Sequence, residues 1–192
     1  MDFFSSDQLI LPEKGDLLIS EPYLPDPNFD RTVVFLCEHD ENGTFGFVLN
    51  NKAHVELKEL VDEVGNYPAK LFVGGPVEHD TLHFLHREPA LANSSREVVP
   101  GVFWGGDFNQ LTEMMNTRAI PSKDVRFYVG YSGWAAGQLI DEMKAKSWIV
   151  LKGTTPEMIF DWDNQDLWKA CLKTMGGKYR LISNYPKDPR MN

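Results

Sequence analysis

Apolar and polar positions along the chain follow two rhythms. Short runs rich in Val, Ile, Leu and Phe predict buried strands at 15–20, 31–38, 44–49, 70–73, 81–86, 98–104, 125–129 and 148–151. Other stretches carry helical spacing. Apolar residues at 57, 60, 61 and 64 predict a helix over 55–64 with a charged outer face. Phe108, Leu111, Met114 and Met115 predict a second over 108–117, with Asp107 as its cap and Gln110 as reciprocal partner. A third is expected over 132–146, capped by Ser132, with Leu139, Ile140 and Met143 inward. Pro156 opens a short fourth helix. A fifth runs from 164 to 175 and stops at Gly176-Gly177.

The connections set the fold class. Glu41-Asn42-Gly43 reads as a hairpin turn, and Pro22, Pro25 and Pro27 force a loop between the first two strands. Early strands are joined by hairpins and later ones by helices, which predicts α+β with a mixed sheet. No repeat or long linker divides the 192 residues, so one domain is expected over 1–192, with a polar lead at 1–14 and a tail at 183–192.

Charge narrows the partners. A formal net charge of −9 argues against a general nucleic-acid binder. Residues 165–192 run the other way: Lys169, Lys173, Lys178, Arg180, Lys187 and Arg190 face only Asp166 and Asp188. That cluster is either a solvated helix face or a patch for an anionic partner. Cys37 and Cys171 sit apart in apolar settings, as free thiols of a reducing compartment do. No apolar run approaches the ~18 residues of a membrane span, and no signal peptide is evident. A cytoplasmic protein without membrane contact is expected.

Candidate chemistry gathers at glycine-aromatic turns between 101 and 137. Gly130-Tyr131-Ser132-Gly133-Trp134 puts a serine where a nucleophile elbow would, but position 134 is Trp, and all five histidines precede the serine. Walker A and dinucleotide fingerprints are absent. The turn suits either an anion at free N–H groups or close helix-on-strand packing. His79, His83 and His86 suggest a metal, but on a strand His83 and His86 point to opposite faces. Asp26, Asn28, Asp30 and Arg31 form a polar loop cluster. The ligand-binding candidates are Asn28, Arg31, Gly74, Gly75, Trp104, Gly106, Asp107, Tyr131, Ser132 and Trp134. No catalytic residue, metal ligand or cofactor is assigned.

Several motifs together resemble one family. They are Leu17-Leu-Ile-Ser-Glu-Pro, the run from Asp26-Pro-Asn-Phe-Asp-Arg to Cys37-Glu-His, Gly46-Phe-Val-Leu-Asn, and Phe72-Val-Gly-Gly-Pro-Val. Trp104-Gly-Gly-Asp-Phe, Arg126 through Leu139, and Ser147-Trp follow in order. Over about 15–180 the chain resembles the AlgH/YqgE family of bacterial proteins. Gly43-Thr-Phe-Gly-Phe is bulkier than that pattern, which bears on packing. The resemblance implies one compact α+β domain with a branched mixed sheet, part of it curled into a small barrel, and helices around it. It implies a cytosolic location and no agreed activity, cofactor or catalytic residue. The family name is tied to transcriptional regulation.

Three readings follow. The leading one is a non-enzymatic binding or regulatory domain, acting through a protein or small-molecule partner. The second is a small-ligand or anion sensor, or an enzyme, using the turns at 74–76, 104–107 and 130–134. The third is direct DNA binding through 165–192. Oligomeric state is not readable.

Overall fold

The computed structural model describes residues 9–163, 165–188 and 190. Nine strands form one sheet: β1 (Leu17–Ser20), β2 (Val33–Asp40), β3 (Gly43–Val48), β4 (Leu71–Val73), β5 (Val77–His86), β6 (Arg96–Val99), β7 (Val102–Trp104), β8 (Val125–Ala135) and β9 (Trp148–Leu151). The α-helices are α1 (Leu57–Leu60), α2 (Phe108–Asn116), α3 (Gln138–Lys144), α4 (Pro156–Phe160), α5 (Leu167–Met175) and α6 (Gly177–Ile182). The strand order is β6-β7-β5-β8-β3-β2-β1-β9, with β4 joined to β8 as a branch. All pairings between these strands are antiparallel except the parallel β4–β8 pair, so the α+β class with a mixed, branched sheet holds.

β8 is the spine, and its two halves belong to different neighbourhoods. Phe127–Val129 pair with β4 on one side and with β5 on the other. Ser132–Ala135 pair with β3. The handover falls at Gly74, whose N–H donates to Val129 O at 2.8 Å and whose carbonyl accepts from Val48 N–H at 2.8 Å. Only glycines fit there. A Cβ on Gly74 would lie 2.5 Å from Gly130 O, and one on Gly75 would strike the Tyr131 carbonyl.

Gly130, at φ 67, adds a second device. Here the β5–β8 register jumps from Leu82↔Val129 to Val77↔Tyr131. The bulge shifts the side-chain phase. Tyr128 and Tyr131, three apart, therefore share a face: Tyr128 stacks on Phe47 at 4.9 Å and Tyr131 meets Phe45 at 4.6 Å. Regular alternation would put them on opposite faces.

Three apolar clusters sit on the sheet. The largest unites Leu17, Ile19, Phe35, Phe47, Phe72 and Tyr128 with Phe160, Trp168 and Leu172 from α4 and α5. A second lies under α2 around Phe84, Leu111, Met115 and Phe127, and a third under α3 around Val34, Val48, Trp134 and Leu139. Arg126 is fully buried and ties the start of β8 to the segment after α4, donating to Phe160 O and, at 3.2 Å, to Asp163.

Several expectations need correction. The sheet is not closed into a barrel. The segment before β1 approaches β6, where Lys14 Nζ donates to Glu97 O at 3.1 Å, but the end strands β6 and β9 do not pair, and side chains from α4 and α5 line the core instead. Ser132 does not cap a helix: β8 runs on through it, held by the Gly46↔Ser132 and Thr44↔Trp134 pairs, and α3 begins after Gly137. The run at 98–104 divides at Gly101, φ 79, into the β6–β7 hairpin. The helix expected over 55–64 breaks at Val61, φ −139, into α1 and a 3-10 turn, which buries Leu57 and Val64 while Leu60 stays 49% exposed. Gly176 and Gly177, at φ 70 and 49, end α5 but turn the chain into α6. The expected start of the last helix at Asn164 lies outside the described residues; the helix begins at Leu167, capped by Asp166.

Two glycine substitutions separate steric from backbone effects. Gly75→Ala is expected to cost at least ~3 kcal/mol in urea unfolding, because backbone atoms must move. Gly137→Ala meets nothing within 4 Å and adopts φ 77, so only the left-handed strain of about 1 kcal/mol is expected.

Candidate functional site

The ten candidate residues go to five places. Gly74, Gly75 and Ser132 form the sheet joint, where buried Ser132 Oγ donates to Gly74 O at 3.1 Å. Trp104 and Tyr131 flank Phe45, with ring centroids 4.7 and 4.6 Å away, and His83 touches the same group. Arg96 lies over Trp104 at 5.5 Å. These rings satisfy one another's faces and form a packed stack.

Gly106 and Asp107 start α2. Asp107 Oδ1 accepts from Asn109 N–H at 2.9 Å and Gln110 N–H at 3.1 Å, the expected cap. Gln110 does not reciprocate; its amide reaches Ala90 O at 3.3 Å. A Cβ on Gly106 would meet Ser95 Oγ at 2.7 Å. Trp134 faces the α3 side. Its indole N–H and that of Trp148 both donate to Glu142 Oε2, at 2.9 and 2.8 Å, and Phe29 packs against both rings.

Asn28 and Arg31 stand apart from all of these. They line a cleft of about 560 Å³ between the 27–32 loop, Asn50-Asn51-Lys52 and the head of α5, with Trp162, Asp166 and Lys187 on its walls. The volume falls in the range of small-molecule sites, but the walls are more polar than usual. Asp26 caps the 3-10 turn Pro27–Phe29 and holds Asn28 through the Asn28 N–H at 2.9 Å. Asn50 spans the strand start: its Oδ1 accepts from Val33 N–H at 3.0 Å and its Nδ2 donates to Arg31 O at 2.9 Å.

That clamp holds Arg31 at φ 49, a conformation costly for a residue with a Cβ. The turn aims the side chain across Trp168, 4.6 Å from the ring centroid, where it is only 9% exposed. Trp168 is itself fixed by its indole N–H on Ser20 O at 2.9 Å. Nη2 of Arg31 donates to Tyr185 O and to Pro186 O, both at 2.7 Å. Thr32, Asn50, Asn51 and Lys52 were not visible as site residues in the sequence, and Lys187 stood out only within the basic cluster at 165–192. The polar run 50–52 directly after a buried strand was the available signal.

The remaining reactive groups are engaged elsewhere. Burial pushes the Cys37 thiol well up and the Cys171 thiol up to about 12. His79 Nε2 contacts Gly75 O, and His83 Nε2 contacts Thr81 Oγ1. No group of three metal-ligating side chains occurs among the described residues. His86 is fully buried: Nδ1 accepts from Glu88 N–H at 3.2 Å, so Nε2 carries the proton and donates to Gly105 O at 3.0 Å.

Two predictions come from these contacts. Glu142→Ala strands two buried indole donors and is expected to lower stability by about 1–3 kcal/mol in urea unfolding, with Glu142→Gln costing less. Burial lowers the pKa of both His83 and His86, so the folded state favours the neutral rings. Their contribution is complete above the unfolded value of about 6.5 and is lost as pH falls below it. Unfolding free energy should therefore drop between pH 7 and 5.5, with a flatter profile in His86→Gln.

Comparison with known proteins agrees with this architecture. A family model described as AlgH-like matches residues 17–180. A UPF0301 protein of Cytophaga hutchinsonii is 41% identical over 180 residues, covering 93% of this chain and 98% of that protein. One from Chlorobaculum parvum is 40% identical over 178 residues, covering 93% and 95%. The solution structure of the AlgH protein from Pseudomonas aeruginosa superposes with a TM-score of 0.70 at 26% identity, covering 97% of this chain and 98% of that one. A crystal structure of a Corynebacterium diphtheriae protein shares the fold, with a TM-score of 0.78 at 20% identity, covering 93% and 95%. The chain belongs to the AlgH-like family, whose relatives here carry the name UPF0301.

Proposed function

We propose that the protein is a cytoplasmic binding domain whose recognition site is the Arg31 cleft, and that it works by holding a small polar ligand. The observation that carries this reading is the construction of the cleft wall. A strained arginine is clamped by Asn50 and laid on Trp168 at the border of a polar space of about 560 Å³. Strained backbone persists only where its surroundings over-determine it, and it concentrates at ligand clamps. The glycine-aromatic turns support a sensor less well, since their polar groups are spent within the fold: Ser132 on Gly74, Asp107 on α2 and Trp134 on Glu142. Two buried free thiols favour a reducing compartment, and no helix among the described residues is long and apolar enough to cross a membrane. A regulatory output would then be ligand-dependent. The basic segment supports direct DNA binding weakly, because α5 buries Leu167, Trp168, Cys171 and Leu172, while Lys169 and Arg190 pair with Asp166 and Asp188.

The test is equilibrium dialysis of the full chain against a bacterial metabolite extract, read by mass spectrometry. Asn51→Trp, which fills the cleft from an exposed position, is the control. The wild type is expected to retain at least one metabolite that the variant loses without a change in melting temperature. Equal retention by both, or retention by neither, contradicts the reading.

A further inference from the structure

Arg31 and Arg126 are buried and Arg87 is partly buried, and the latter two are neutralised by carboxylates. Arg87 pairs with Asp124 at 2.6 Å and Asp161 at 2.8 Å, and Arg126 pairs with Asp163 at 3.2 Å. Arg31 differs. Its Nη2 rests on two backbone carbonyls and its plane lies on an indole, and among the described residues it makes no ion pair. A buried charge is costly unless it is paired, and carbonyls are weaker partners for a guanidinium than an anion is. The cleft beside it also carries Lys52 and Lys187 against Asp30 and Asp166, an excess of positive charge on its walls once Arg31 is included.

We propose that Arg31 is the anchor for an oxyanion, a carboxylate or phosphate group of the ligand, and that Tyr185-Pro186 is a self-ligand competing for it. The proposal rests on the cleft reading above and adds the ligand's chemical class and its competitor. The planar fork of arginine recognises either group through paired N–H bonds. The two carbonyls at 2.7 Å hold the place those oxygens would take. The competitor is held lightly from outside. Tyr23 Oη donates to Pro186 O at 2.8 Å, and the Tyr23 and Tyr185 rings stack 6.3 Å apart on the surface. Tyr23 is a second non-glycine residue in left-handed conformation, at φ 66, eight positions before Arg31. An arriving oxyanion exchanges neutral acceptors for a charged one, and the segment swings off without unfolding the core beneath Trp168.

The test titrates the full-length protein with inorganic phosphate and, separately, with acetate, at constant ionic strength set by chloride. The Trp168 indole resonance reports the site by NMR. One of the two anions is expected to give a saturable shift, and which one does so distinguishes phosphate from carboxylate. In Tyr23→Phe/Tyr185→Ala, with the self-ligand loosened, the same anion should bind about threefold to tenfold tighter, the value of one or two surface contacts. Arg31→Lys keeps the charge but loses the fork and should abolish saturation. A linear or absent response to both anions overturns the anchor. So does saturation that persists in Arg31→Lys. Unchanged affinity in the tyrosine variant overturns the competitor. The wild-type and tyrosine arms decide the matter even where Arg31→Lys folds poorly. If dialysis retains a metabolite that Asn51→Trp loses while neither anion saturates, the cleft reading stands and the oxyanion anchor falls.

Discussion

The structure depends on one close approach of backbones, Gly74-Gly75 against Gly130–Ser132. β4 and β3 must both reach the same edge of β8, one pairing ahead of the joint and one beyond it. Any Cβ at Gly74 or Gly75 would strike the β8 backbone there. The approach is what lets the sheet branch. The Ser132 hydroxyl, donating to Gly74 O, closes the joint from the far side. Residues that resemble an active-site turn are thus hinge fittings of a branched sheet, and their glycines and aromatics follow from that geometry.

The bulge at Gly130 carries the consequence outward. By bringing Tyr128 and Tyr131 to one face, it builds a continuous run of rings from Phe72 through Tyr128 and Phe47 to Phe45 and Trp104. Beyond the bulge, Ser132 and Trp134 face the opposite side, where Glu142 of α3 serves two indoles. One strand thereby serves different cores with its two halves.

Much of this was legible in the residues. β9 is the four-residue strand that Trp148-Ile-Val-Leu suggests, and α2 starts at the Asp107 cap. The hairpin turn at Glu41-Asn42-Gly43 is present as well. Two of the failures share a cause, that a glycine need not end an element. In β8, long-range pairing with β3 carries the strand past Gly130 and Gly133, and no local signal announces that partner. At Gly176-Gly177 the same residue type bends the chain into another helix. The cleft was half legible. Asn28 and Arg31 stood out as polar residues between prolines and a buried strand. Their partners at 50–52, 168 and 185–187 come from distant segments, which only the sheet order brings together.

Stability and recognition therefore fall to different residues, although Asn51 of the cleft accepts from Val73 N–H, one residue before Gly74. The glycines and serine of the joint are buried and Gly74 is hydrogen-bonded on both sides, whereas the Arg31 cleft is framed by a strained loop and a surface-held C-terminal segment. Native-state hydrogen exchange tests that division directly. The amides of Gly74 and Val48, which pair across the joint, should exchange only with global unfolding, while amides in the 21–32 loop and at 184–187 open locally at much lower free energy. Joint amides that exchange as readily as those loops would contradict the account, and would return the glycine-aromatic turns to consideration as a mobile site.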